Sequence, residues 1–219
     1  MSRRHPPDDD VNESRGWVRV KPWDEVYASP RSIPDMLRWG VTHSRLLEQL
    51  ILHRSVLEVG TGTSMLSGLA GMWCDRVVTV DNSAAVLSSA GAFSARAGTR
   101  VYAVRGDANR LPFPDQSFSA CFSQGLLEHF DDDRAHSMVA EQLRVAAVVY
   151  VSVPSVFYPH LGRLGPGLVG NERLLSRSRW LRILHGWDVH GEYYADFKIA
   201  SFAGKTIPWP AQILLRVSR

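Results

Sequence analysis

The sequence predicts an α/β protein built on a mostly parallel sheet with helices on both faces. Two observations carry this reading, both beginning just after Arg54. Short apolar runs alternate there with helix-length segments, as successive βα units require. The first run also delivers Gly60 and Gly62 into a turn that opens a helix, the usual junction of a parallel strand with its crossover.

Before that point, residues 1–16 are charged, proline-containing and almost free of aliphatics, too poor in apolar surface to offset their ordering entropy, and are expected to form a disordered tail. Residues 17–54 are expected to form an N-terminal helical cap or lid. Aromatics and turn residues interleave from Trp17 to Trp39, and Ser32 with Asp35 reads as a helix start carrying Pro34 in its first turn. That helix is expected to bend or break near Gly40 and to resume through Leu46, Leu47, Leu50 and Ile51.

The strand runs are Val56 to Val59, Val77 to Val80, Val101 to Val104, Ala120 to Phe122 and Val145 to Val153. Between the first two lies Met65 to Trp73, where Gly68 and Gly71 permit close helix–sheet approach. Between the second and third, Ser83 is placed to cap a helix whose Val86, Leu87, Ala90 and Phe93 share one face, and Gly98 to end it. Residues 155–171, rich in proline and glycine, read as a substrate-side loop. A basic helix from about Glu172 to His185 and strands near 187–194 and 212–217 complete the chain.

Composition bounds the function. With 219 residues and 45% hydrophobic content, one domain over 17–219 is expected. The 25 Lys and Arg against 22 Asp and Glu leave +3, too little for the broad basic face of most nucleic-acid binders. Cys74 and Cys121 lack the spacing of a zinc or redox pair, so no metal is expected. The N-terminal residues lack the apolar stretch of a secretory signal and no run is long enough to span a membrane, so a cytoplasmic location is expected.

Gly60 and Gly62, taken alone, are compatible with a dinucleotide site, a methyl-donor site or a tight βα turn. Asp81 ends the second run about 20 residues on, where a carboxylate can bond both hydroxyls of a ribose. Asp107, followed by Ala108, ends the third and opens at the same sheet edge. The third position of a dinucleotide fingerprint requires Gly or Ala, but the chain has Met65, which disfavours hydride transfer.

Four segments then carry a resemblance: Glu58-Val-Gly-Thr-Gly-Thr-Ser64, Val80-Asp-Asn-Ser83, Gly106-Asp-Ala-Asn-Arg-Leu-Pro-Phe-Pro-Asp-Gln-Ser-Phe118 and Phe122-Ser-Gln-Gly-Leu-Leu-Glu-His-Phe130. In this order, over roughly Val56 to Pro154, they resemble the class I S-adenosylmethionine-dependent methyltransferases, in particular the methyltransferase domain 11 group. The resemblance implies a Rossmann-like sheet of seven strands with the last antiparallel, and S-adenosyl-L-methionine as cofactor, leaving S-adenosyl-L-homocysteine. It implies that Gly60 and Gly62 approach the methionine part, Asp81 the ribose, Asn82 an adenosine edge, and Asp107 with Ala108 the adenine; Glu58, Thr61 and Ser123 are assigned to the same site. Ser64 departs from the group in replacing its third glycine, and Ser119 stands where Asp is common.

Ser123-Gln-Gly-Leu126 lacks the Asn/Asp-Pro-Pro-aromatic pattern of nucleobase amino methyltransferases. Cys121 sits within an apolar strand rather than in the Pro-Cys setting of a cytosine C5 enzyme. Glu128 and His129 are the catalytic candidates: His129 reads either as a general base or as a residue packing or capping the next helix. Trp17, Trp23, Tyr27, Tyr158 and His160 are candidates for a substrate-enclosing lid, with ordinary core packing as the alternative for each. Arg173, Arg177, Arg179 and Arg182 read as a solvated basic face or as a phosphate or RNA site. The expectation is in-line methyl transfer to a small-molecule acceptor. The alternatives are RNA or protein methylation and a non-catalytic cofactor-binding module.

Overall fold

The computed structural model describes residues 32–158, 172–202 and 205–219, with side chains described outside 195–209. Trp17, Trp23, Tyr27 and His160, the 1–16 tail and most of the 155–171 loop lie outside the described residues.

Helix α1, Ile33–Thr42, begins with a capping box: Asp35 N–H donates to Ser32 Oγ at 3.2 Å and Ser32 N–H donates to Asp35 Oδ2 at 3.1 Å. The break before α2, Ser44–Leu50, falls at His43 and not at the expected Gly40. Gly40 remains helical and serves packing, since a Cβ there would lie 2.5 Å from Leu69 Cδ1.

The βα units follow as β1 Ser55–Val59, α3 Met65–Ala70, β2 Arg76–Asp81, α4 Ala84–Arg96, β3 Val101–Arg105 and β4 Ala120–Gln124. After a short 3₁₀ turn, Leu127–His129, come α5 Asp132–Val145, β5 Val148–Pro154, α6 Arg177–Ile183, β6 Asp188–Phe202 and β7 Lys205–Ser218. Ser83 caps α4 and Gly98 follows it at φ +68°, as expected. The fifth apolar run divides: Val145 still belongs to α5, and the strand starts at Val148. The basic helix is shorter than expected, because Ser176 caps it and confines it to Arg177–Ile183.

The seven strands form one sheet in the order β3-β2-β1-β4-β5-β7-β6. All neighbours in β3 through β5 are parallel, while β7 runs antiparallel to both β5 and β6. Strand alternation sorts the core to two faces. Leu57, Val59, Cys121 and Val149 pack with Met138, Val139 and Leu143 of α5 and with Trp180 of α6. Val56, Val77, Ala120 and Phe122 pack with Leu46, Leu50 and Leu66.

Arg144, near the end of α5, holds the loop after β3. Its guanidinium donates to Leu111 O at 3.1 Å, Phe113 O at 2.9 Å, Asp115 Oδ1 at 2.7 Å and Glu141 Oε1 at 2.8 Å. At the other end of α5, Asp132 accepts from Arg173 Nη1 and Arg179 Nη2, each at 2.6 Å.

Candidate functional site

The strand order puts the switch point between β1 and β4, and at such a point the carboxyl ends of parallel strands open a crevice. The turn after β1 forms one wall. Gly60 and Gly62 adopt φ +80° and +49°, and Gly60 N–H donates to Val80 O at 2.9 Å, tying the turn to β2. A Cβ on Gly60 would meet Leu126 Cδ1 at 3.1 Å, so glycine lets the segment after β4 close over the turn. Ser64 also has positive φ, +56°, which accounts for the glycine usual at that position.

Beneath the turn lies a buried polar cluster. Ser67 Oγ donates to Glu58 Oε2, Thr79 Oγ1 donates to the same oxygen at 3.3 Å, and Thr61 is hydrogen-bonded to Thr79. Burial raises the Glu58 carboxyl to about 8 against the opposing hydrogen bonds from Ser67 and Thr79. Glu58 and Thr61 are 4% and 2% exposed, so their side chains brace the turn from below.

Asp81 ends β2 with its carboxylate against the turn. Burial raises its pKa, while N–H groups of Ser83, Gly62, Asn82 and Thr61 pull the other way. Asn82 follows it, exposed, with its carbonyl accepting from Arg105 Nε at 3.1 Å. Asp107 lies two residues beyond β3, which ends at Arg105, and not at the strand end itself. Asn109 donates to it from its backbone at 2.9 Å and from its side chain at 2.8 Å, holding that carboxyl below its ordinary value. Ala108 packs half-buried against the core.

The β4 side forms the other wall. Ser123 is 1% exposed and its hydroxyl has no hydrogen-bond partner. Glu128, 2% exposed, has an unpartnered Oε2, and burial raises its carboxyl to about 8; Glu172 adds to the rise and Arg173 opposes it. His129 is half-buried in the 3₁₀ turn, with its N–H donating to Leu126 O at 3.3 Å. Tyr158, also half-buried, lies just past β5, with its N–H donating to Ser155 O at 2.9 Å.

The structure also brings together residues that no motif marks. His43 Nδ1 lies 2.8 Å from Tyr194 Oη, which lies 2.7 Å from Ser152 Oγ, and burial drives the His43 pKa down to about 3. These three are 42 to 151 residues apart in sequence, and only the fold unites them. The arginine face is only partly a solvated surface: Arg177 and Arg182 are exposed, while Arg173 and Arg179 are half-buried. Arg173 precedes the helix, Arg173 and Arg179 grip Asp132, and Arg177 Nη1 donates to Gly191 O at 3.2 Å. Among the described residues, no group of three or more His, Cys, Asp or Glu is arranged to hold a metal ion, and no helix is long and apolar enough to cross a membrane.

Residues 56–147 match a family described as methyltransferase domain. The fold is similar to that of a SAM-dependent methyltransferase from Aquifex aeolicus, with TM-score 0.65, 16% identity and coverage of 90% of this chain and 98% of that one. It is likewise similar to magnesium protoporphyrin IX methyltransferase from Synechocystis, solved with bound SAH, with TM-score 0.59, 15% identity and coverage of 90% and 93%. A Haloferax volcanii complex of a methyltransferase with its Trm112 activator gives TM-score 0.62 at 16% identity, covering 90% and 96%. No curated protein matches the sequence. At these identities the structural likeness establishes the fold, and the family match falls on the segment that carries the glycine turn, Asp81, Asp107 and Glu128. The match over residues 56–147 and the shared fold together support a class I methyltransferase with S-adenosylmethionine as its cofactor.

Proposed function

We propose that the protein transfers a methyl group from S-adenosylmethionine to a small-molecule acceptor by in-line displacement. The observation that carries the reading is the pairing of the Gly60–Gly62 turn with Asp81, whose carboxylate draws on N–H groups of Thr61 and Gly62. That arrangement suits a ligand with an amino-acid end and a ribose: backbone free of Cβ for the first, an acid for the second. Gly60 and Gly62 would hold the methionine part, Asp81 the ribose hydroxyls, Asn82 the adenosine edge, and Asp107 with Ala108 the adenine. Ser123 brings a buried hydroxyl without a partner, suited to a ligand polar atom. Glu58 and Thr61 act through the turn that they brace.

When bound, S-adenosylmethionine supplies an electrophilic methyl carbon. The acceptor must present a lone pair, so a phenol, acid or ammonium has to give up its proton. His129 is proposed to take it, and the adjacent Glu128, whose raised carboxyl is neutral and whose Oε2 has no partner, to orient the acceptor as a hydrogen-bonding group. Tyr158, with Trp17, Tyr27 and His160, is proposed to line the acceptor side and keep water out. RNA or protein methylation through the arginine helix is the less supported reading, because two of its four arginines, Arg173 and Arg179, are engaged by Asp132.

Calorimetry with S-adenosylmethionine, S-adenosylhomocysteine and NAD tests the reading. Binding of the first two without the third is expected; NAD binding alone would overturn it.

A further inference from the structure

The segment leading into α6 is held across the carboxyl ends of two strands. Arg173 N–H donates to Glu128 O at 2.9 Å, just past β4, and Leu175 forms a parallel bridge with Ser155, just past β5. Arg173 is thereby fixed on the same sheet edge as the proposed site, on its β4–β5 side.

Its guanidinium is anchored at one nitrogen. Nη1 donates to Asp132 Oδ1 at 2.6 Å, and the group lies 6.0 Å from the centre of the Trp180 ring. The other two nitrogens, Nε and Nη2, are withdrawn from solvent and have no hydrogen-bond partner. They form the side edge of the guanidinium, the fork whose two parallel N–H groups match the two oxygens of a carboxylate. An unsatisfied buried fork is costly, and surroundings of low dielectric strengthen any anion that pairs with it. Asp132, shared between Arg173 and Arg179, is already taken by Nη1 of this group. Nearby, Glu128 keeps an unpartnered Oε2. With its carboxyl held largely protonated at neutral pH, it offers the fork little opposing charge.

We infer that the Nε–Nη2 fork of Arg173 is an anchor for a carboxylate on the acceptor, so that the small molecule methylated here is an organic acid. This inference rests on the proposed function for the word acceptor, but the binding of a carboxylate at Arg173 does not.

The experiment uses benzoate as the carboxylate probe, benzamide as its neutral isostere and inorganic phosphate as the alternative oxyanion. Each is titrated into the full chain, with and without S-adenosylhomocysteine, while melting temperature and the Nε–H resonance of Arg173 are followed. Benzoate is expected to raise the melting temperature and to shift that resonance saturably, with benzamide inert and phosphate weaker. Arg173→Lys keeps a charge for Asp132 but lacks the fork, and should bind benzoate at least about tenfold more weakly while S-adenosylhomocysteine affinity stays within about twofold. Arg173→Gln should abolish the benzoate response; if it fails to fold, the lysine variant alone decides. Absence of a benzoate response in the wild type, an equal response in Arg173→Lys, or a response to phosphate alone would overturn the inference. Failure to bind S-adenosylhomocysteine would instead strike the proposed function, leaving the benzoate result to be read on the unloaded protein.

Discussion

Replacing Ser64 by glycine should make the protein more stable. Ser64 is 1% exposed, holds φ +56° and ψ +18° at the entrance to α3, and has a hydroxyl with no partner. The left-handed backbone costs a non-glycine residue roughly 1–2 kcal/mol. An unsatisfied buried hydroxyl costs roughly 1–3 kcal/mol more. Glycine removes both and gives back about 0.4–1 kcal/mol through the greater freedom of the unfolded chain. A net gain of about 1–4.6 kcal/mol follows, with about 2–4 °C of melting temperature for each kcal/mol in a chain of this size. Urea denaturation and calorimetry of wild type, Ser64→Gly and Ser64→Ala separate the contributions, because alanine removes the hydroxyl and keeps the strain. If the glycine variant is no more stable than the alanine variant, backbone strain at residue 64 is not a cost that this fold carries.

Asp81→Ala should weaken S-adenosylhomocysteine binding by roughly 2–4 kcal/mol in a folded protein, by removing charge-assisted bonds to two hydroxyls; an unchanged dissociation constant in calorimetry refutes the assignment. Glu58 is raised in the folded state from 4.5 to about 8, so its contribution to stability is fully present below about 4.5 and lost as pH rises through about 8. Glu58→Gln should therefore flatten the fall in denaturation midpoint between about pH 4.5 and about pH 8, and an unaltered slope would show that Glu58 does not cause it. Once an acceptor is found, His129→Gln should lower turnover by about 100-fold to 10,000-fold with cofactor affinity retained, and should remove an ionisation from the rate profile. Near wild-type turnover would make His129 structural.

What the sequence made legible was whatever the chain writes locally. The runs at Val56, Val77 and Val101, the Ser83 and Gly98 caps, and the acids at 81 and 107 are each decided by neighbours within a few residues. Gly40 was misleading because helix propensity marks glycine as a break, whereas here it admits Leu69 against the helix. The break came at His43, whose ring is hydrogen-bonded to Tyr194 across 151 residues. The donor half of the site follows chain order, from Gly60 to Asp107. The proposed acceptor side does not: Glu128 meets Arg173 only because a later segment returns across β4, and no spacing in the sequence records that return.

Helix α5 is clamped at both ends, by two arginines on Asp132 and by Arg144 on the loop after Asp107. It works as a strut between the two rims of the crevice. A load on either rim is carried along one hydrogen-bonded rod about 21 Å long, at 1.5 Å for each of its 14 residues. Amides from Leu111 to Val145 should then exchange as one cooperative unit, and releasing either clamp should let the two rims open independently.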